Sequence, residues 1–173
     1  KTLTIVLLVI TPIIFSIIIY NSDTHTDNEI QIAILQPNID PYEKKYKRSN
    51  EELFELIKKQ INNDINQDIK YLIAPEGYLD EGLGLNLKNF AYSKLKSKID
   101  EYLKKYKNLN LILGTQSYNI YPESKSPPTH TANRISDGRW IDFYNSAFHF
   151  SNNQDPQFYH KSKLVVGVEF MPY

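Results

Sequence analysis

Tyr71-Leu72-Ile73-Ala74-Pro75-Glu76-Gly77 is the stretch on which the fold turns. Its first four residues are apolar and too few for a helix. Pro75 and Gly77 end the run, so it reads as a strand that delivers a carboxylate to its end. Helical patterns stand on both sides. Ser49 with Glu52 makes a capping box, in which each side chain satisfies an orphan backbone amide. Leu53, Ile57 and Ile61 then mark the buried stripe of a helix running to about residue 64. Residues 88–107 predict a second amphipathic helix with Leu95, Ile99 and Leu103 inward, and its lysines read as a solvated face.

Outward from these, Ile30 to Leu35 predicts an earlier strand, buried by its composition, and Gln36-Pro37-Asn38 breaks it. Leu109 to Leu113 predicts a third strand closed by Gly114. Residues 119–138 are rich in Ser, Pro, Thr and Asn and read as a surface loop. Arg139 to Phe150 is strand-like again, and Ser151 to Pro156 is a turn leading into Gln157-Phe158-Tyr159. Strand, helix, strand, helix, strand is the order of an α/β fold with a sheet at least partly parallel or mixed.

Thr2 to Tyr20 contains no charged residue and, as a helix, would span about 28 Å, close to the hydrocarbon thickness of a bilayer. A secretory signal would have a shorter apolar region followed by small residues at a cleavage site, and no A-x-A pattern follows here. The expected organisation is a transmembrane helix over 1–20, a polar linker over 21–29 and a globular domain over 30–173. Lys1 before the span and acidic residues after it place residues 21–173 outside the cytoplasm. Lys+Arg and Asp+Glu both number 20, which argues against a nucleic-acid partner held by bulk charge. There is no cysteine.

Three side chains are candidates for chemistry. Glu76 ends a strand, where ligand sites of open α/β sheets gather, and a carboxylate there can serve as a general base. A loop glutamate or helix cap is the plain alternative. Lys161 follows an aromatic strand end and can stabilise an oxyanion, or can be a surface lysine. Glu169 stands among Val168, Phe170, Met171 and Pro172, so it needs a partner; a buried structural salt bridge competes with function. His25, His130, His149 and His160 lack metal-ligand spacing, and His149 and His160 read as strand residues.

Three segments together resemble the nitrilase (carbon–nitrogen hydrolase) superfamily, and most of all its membrane-bound apolipoprotein N-acyltransferase branch. They are Ile30 to Ile39, with its Q-x-N ending; Leu72-Ile73-Ala74-Pro75-Glu76; and Tyr159-His160-Lys161 with Leu164-Val165 and Glu169 to Pro172, similar to Y-x-K-x-x-L-V-P-x-x-E-x-x-P. Tyr144-Asn145-Ser146-Ala147 resembles a Y-N-S/T stretch of the same branch, and Tyr46 stands near the place of a family aromatic. The resemblance implies a nitrilase-like α-β-β-α sandwich, here its first half, preceded by a transmembrane helix. It implies Glu76 as general base, Lys161 as the oxyanion-stabilising lysine and Glu169 as a second essential glutamate near the acyl site. The implied reaction moves an acyl chain from a phospholipid donor to the N-terminal diacylglyceryl-cysteine amine of a lipoprotein, through a thioester, in the bacterial inner membrane. No cofactor or metal is implied.

Two departures stand out: Val166-Gly167-Val168 replaces P-F-G, and Gly77 stands where Ser or Thr is common. The family's nucleophilic cysteine follows the lysine motif on a later strand-to-helix turn, so the expectation is that this chain is the N-terminal part of a longer polypeptide that supplies it, with further membrane helices before it. A membrane-anchored amidase of the same fold and a non-catalytic nitrilase-fold binding module are the other readings.

Overall fold

The computed structural model of the chain describes residues 2–22, 29–38, 48–62, 65–163 and 165. The expectations placed on Tyr46, on Val166, Gly167 and Val168, and on Glu169 fall outside these residues, as does most of the polar linker. The chain divides into two units, one through Ile30 and one from Gln31 onward.

In the first unit, helix α1 covers Thr2–Ser22, carries Pro12, and buries none of its residues. It is long and apolar enough to cross a membrane, a property that a signal sequence shares. It runs two residues past Tyr20. Asn21 Nδ2 and Ser22 Oγ donate back to the carbonyls of Ile17 and Ile19, each at 2.9 Å, so both polar side chains satisfy the helix end.

The second unit is mixed α/β, built on one mixed sheet. In chain order its elements are β1 (Gln31–Ile34), α2 (Asn50–Ile61), β2 (Ile69–Ile73), β3 (Leu85–Asn86), a 3-10 turn (Phe90–Tyr92), α3 (Lys94–Lys105), β4 (Asn110–Tyr121), β5 (Asn133–Arg134), β6 (Trp140–Phe150) and β7 (Gln157–His160). The strand order is β1-β2-β4-β6-β5, with β3 also on β4 and β7 also on β6. β1 pairs with β2, and β2 and β3 with β4, all in parallel; β6 is antiparallel to β4, β5 and β7.

The helices begin where their caps dictate. Ser49 and Glu52 close the capping box of α2, and Leu53, Ile57 and Ile61 are buried as their spacing predicts. The second helix starts at Lys94 rather than at residue 88. Ser93 Oγ accepts the Lys96 amide at 3.1 Å as its N-cap, and Phe90–Tyr92 form the 3-10 turn before it. Leu95, Ile99 and Leu103 join Leu53, Phe54 and Ile57 of α2 in one core with Leu72, Leu111, Leu113, Phe148 and Phe150 of the sheet.

Two strands differ from expectation. The third does not stop at Gly114: β4 runs to Tyr121, paired with β6 from Leu111–Phe150 to Tyr121–Trp140. The expected loop over 119–138 therefore loses its first residues to β4, and it also contains β5. β1 is not buried; Ile32 and Ile34 are 53% and 79% exposed. Alternation turns Ala33 and Leu35 to the core and leaves these two isoleucines on the opposite face.

Candidate functional site

The site begins with an arch at the end of β2. Ala74 still donates its amide to Ile112 at 2.8 Å; Pro75 has no amide to give, and Gly77 adopts φ +58°. The chain then returns to β4, where the amides of Tyr78 and Leu79 share the Gly114 carbonyl at 2.9 and 3.1 Å. Glu76 stands on this arch. Tyr78 anchors the far side: its buried hydroxyl donates to the Leu53 carbonyl at 3.0 Å. Burial pushes that hydroxyl's pKa up to about 12, so it remains a donor at neutral pH.

Lys161 arrives from the other side. β7 pairs with β6, and the Lys161 amide donates to the Asn145 carbonyl at 2.8 Å just past the last residue of β7. Its Nζ then reaches Glu76 Oε1 at 3.2 Å, and Asn145 Nδ2 donates to the same oxygen at 2.5 Å. Two of the three residues singled out in the sequence thus meet, 85 positions apart in the chain. Asn145 joins them. The sequence assigns Asn145 no role, since only strand register places it opposite the lysine.

These groups border a cleft of about 270 Å³ whose apolar lining includes Ala74, Ile112, Ala147 and Tyr159. The Glu76 side chain is 63% exposed and that of Lys161 29%. An ion pair so open to water contributes at most about 1 kcal/mol, so stability does not account for the convergence. A carboxylate and an ammonium facing one opening can, by contrast, accept a proton and hold a developing anion.

The reverse face of β6 and β7 is polar as well. Ser117 and Ser146 hydroxyls lie 2.7 Å apart, and Ser146 Oγ is 2.8 Å from His160 Nδ1. The His160 ring stacks on Tyr144 at 4.1 Å. Burial lowers the His160 pKa, which favours the neutral ring. His149 also lies in a strand, as expected, with Nε2 2.9 Å from Asn110 Oδ1. Among the described residues no group of three His, Asp or Glu side chains could hold a metal ion.

A larger cleft, about 460 Å³, opens beside Asn50, Glu81 and Tyr118. Two of its polar residues, Asn50 and Glu81, are bonded to each other. Glu81 Oε2 accepts the Asn50 amide at 2.8 Å, and Asn50 Oδ1 accepts the Glu81 amide at 3.3 Å.

Fold and site together define a mixed α/β domain with a glutamate–lysine–asparagine cluster at the ends of β2 and β7. The sequence matches no protein-family model and no curated protein.

Proposed function

We propose that Glu76 and Lys161 are the base and the oxyanion-stabilising cation of an acyl-transfer site of the carbon–nitrogen hydrolase type. On this reading the chain is part of a membrane acyltransferase that moves an acyl chain from a phospholipid to the N-terminal diacylglyceryl-cysteine amine of a lipoprotein. The observation that carries the reading is the 3.2 Å approach of Lys161 Nζ to Glu76 Oε1 at the rim of an apolar-lined cleft.

The architecture supports it. Helices α2 and α3 cover one face of the sheet, and Ile32, Ile34, Phe143 and Tyr159 are exposed on strands of the same sheet. One half of an α-β-β-α sandwich requires helices outside and apolar strand side chains inside. The apolar helix α1 fits an enzyme whose two substrates are lipids, in the bacterial inner membrane with residues 21–173 on the periplasmic side.

The reading requires a thiol from outside these residues. Glu76 takes the thiol proton, and the thiolate attacks the ester carbonyl. Lys161 Nζ holds the charge that collects on the carbonyl oxygen. Glu76 returns its proton to the departing lysophospholipid oxygen, leaving a thioester. The acceptor amine then attacks, Glu76 removes its proton, and collapse of the second tetrahedral adduct frees the thiol. Glu169 would serve as the second glutamate near the acyl chain.

The test is transfer of a labelled acyl chain from phospholipid to a diacylglyceryl lipopeptide by the intact protein in bilayer discs. Glu76→Gln and Lys161→Met are each expected to slow transfer by about 100- to 1000-fold. Asn145→Ala, which removes one donor to Glu76, is expected to slow it by about 10-fold. Undiminished transfer by Glu76→Gln would sink the reading. Hydrolysis of small amides with no lipid transfer would indicate an amidase of the same fold, and neither activity a binding module.

A further inference from the structure

The site's weakest mechanical point is the end of β7. The strand has four residues and its described pairing is to β6 alone. Short strands with one neighbour fray, and Lys161 lies just past the end, where fraying starts. Its ammonium must nevertheless stay within about 3 Å of a fixed oxygen to act. Something beyond backbone pairing has to hold β7 at that end.

The side chain before Lys161 is placed to do so. His160 pairs with Ser146 across the two strands, one position from the Lys161–Asn145 rung. Its Nδ1 bonds Ser146 Oγ at 2.8 Å, and Ser146 is 4% exposed and braced by Ser117. Tyr144 stacks on one side of the ring at 4.1 Å, and Phe158 lies 5.3 Å away. Phe158 in turn contacts Phe148, which belongs to the main core. The ring is thereby tied to β4, β6 and the core from the face opposite to Glu76.

We propose that His160 is a positioning residue of this site, pinning the end of β7 so that Lys161 stays within reach of Glu76. The proposal rests on the acyl-transfer reading above. Its physical content is that strand alternation lets one residue grip the buried face while its neighbour works on the open one. The titratable groups around the ring are Tyr144, in direct contact, and behind it Tyr121 and Asp142, both bonded to the Tyr144 hydroxyl at 3.2 Å. Ser117, Ser146 and Phe158 contribute no charge. A neutral ring fits these surroundings, and burial favours that form.

The experiment compares His160→Ala and His160→Gln in the intact protein in bilayer discs. Hydrogen–deuterium exchange is read over residues 157–161 and over β4, and kcat and KM are read for the phospholipid donor. With His160→Ala, exchange at β7 is expected to rise about 10-fold while β4 stays protected. kcat should fall about 10- to 100-fold with KM unchanged, because Lys161 acts on the transition state. His160→Gln, whose amide can still bond Ser146, should recover most of kcat. Native exchange and native kcat in His160→Ala would overturn the proposal, as would a rise in KM alone. If β7 stays protected while Glu76→Gln is inactive, only the role of His160 fails. If Glu76→Gln is fully active, the acyl-transfer reading fails first.

Discussion

Gly114 lies directly against the backbone of Glu76. A methyl group on Gly114 would sit 2.6 Å from the Glu76 Cα and 2.3 Å from the Pro75 carbonyl oxygen. Both are main-chain atoms, so no side-chain rotation can relieve the clash. The arch that carries the proposed base is therefore seated on a position where only glycine fits.

Gly114→Ala is accordingly expected to destabilise the domain by about 1–3 kcal/mol and to cut acyl transfer at the same time, because the arch must lift. Gly82→Ala is the control. Its φ is +60° with nothing within 4 Å, so it should cost about 1 kcal/mol from the backbone alone and leave transfer unchanged. Thermal unfolding and transfer rates of the two variants decide the matter; equal losses of activity would refute the role of the arch.

Asp142 offers a test of the polar interior. It is 1% exposed; Oδ2 accepts from Thr129 Oγ1 at 2.5 Å and from Tyr144 OH at 3.2 Å, while Oδ1 has no hydrogen-bond partner among the described residues. A buried carboxylate with one oxygen unserved is a cost to the fold. Asp142→Asn keeps the shape and an acceptor while removing the charge, and is expected to raise stability by about 1 kcal/mol. Asp142→Ala strands two hydroxyls and should lower it. Denaturant midpoints measure both, and an Asp142→Asn no more stable than the native protein would refute the cost assigned to Oδ1.

Acid should weaken the domain earlier than its carboxylates require. The ordinary His pKa is 6.5, and burial lowers that of His160 in the folded protein. The unfolded chain therefore binds the proton more readily, so stability is complete above about 6.5 and declines as pH falls into the window below. Glu55 and Asp137, lowered by hydrogen bonds from Lys58 and Arg139, begin to matter only near their ordinary values of 4.5 and 3.8. Unfolding midpoints from pH 7 to 5 should slope downward in the native protein and flatten in His160→Gln. Identical slopes would remove His160 from the explanation.

Much of the frame was legible because it follows local rules. The capping box at Ser49 and the stripe of Leu53, Ile57 and Ile61 depend on neighbours within a few residues, and the structure has them. Glu76 and Lys161 were visible as polar side chains at the ends of strand-like runs. The misreadings involve partners far away in sequence. Gly114 looks like a breaker, yet it sits mid-strand, paired with Ala147, and is glycine because the Glu76 backbone lies against it; Thr115 and Ser117 beyond it are fully buried, which hides the apolar alternation. The isoleucines of β1 look like core, but exposure depends on what pairs and packs beside them. Asn145 meets Glu76 through the β2–β4 and β4–β6 registers, and Lys161 joins them through β6–β7, which no local pattern encodes.

The 85-residue separation of Glu76 and Lys161 also has a bearing on synthesis. As the chain leaves the ribosome, β2 and its glutamate emerge long before β7. The pair forms only after β4 and β6 have laid down the ladder between them, a non-local pairing of the slow kind. A translation product interrupted before residue 161 carries the carboxylate without the lysine, so the paired chemistry is absent until this part of the sheet is finished.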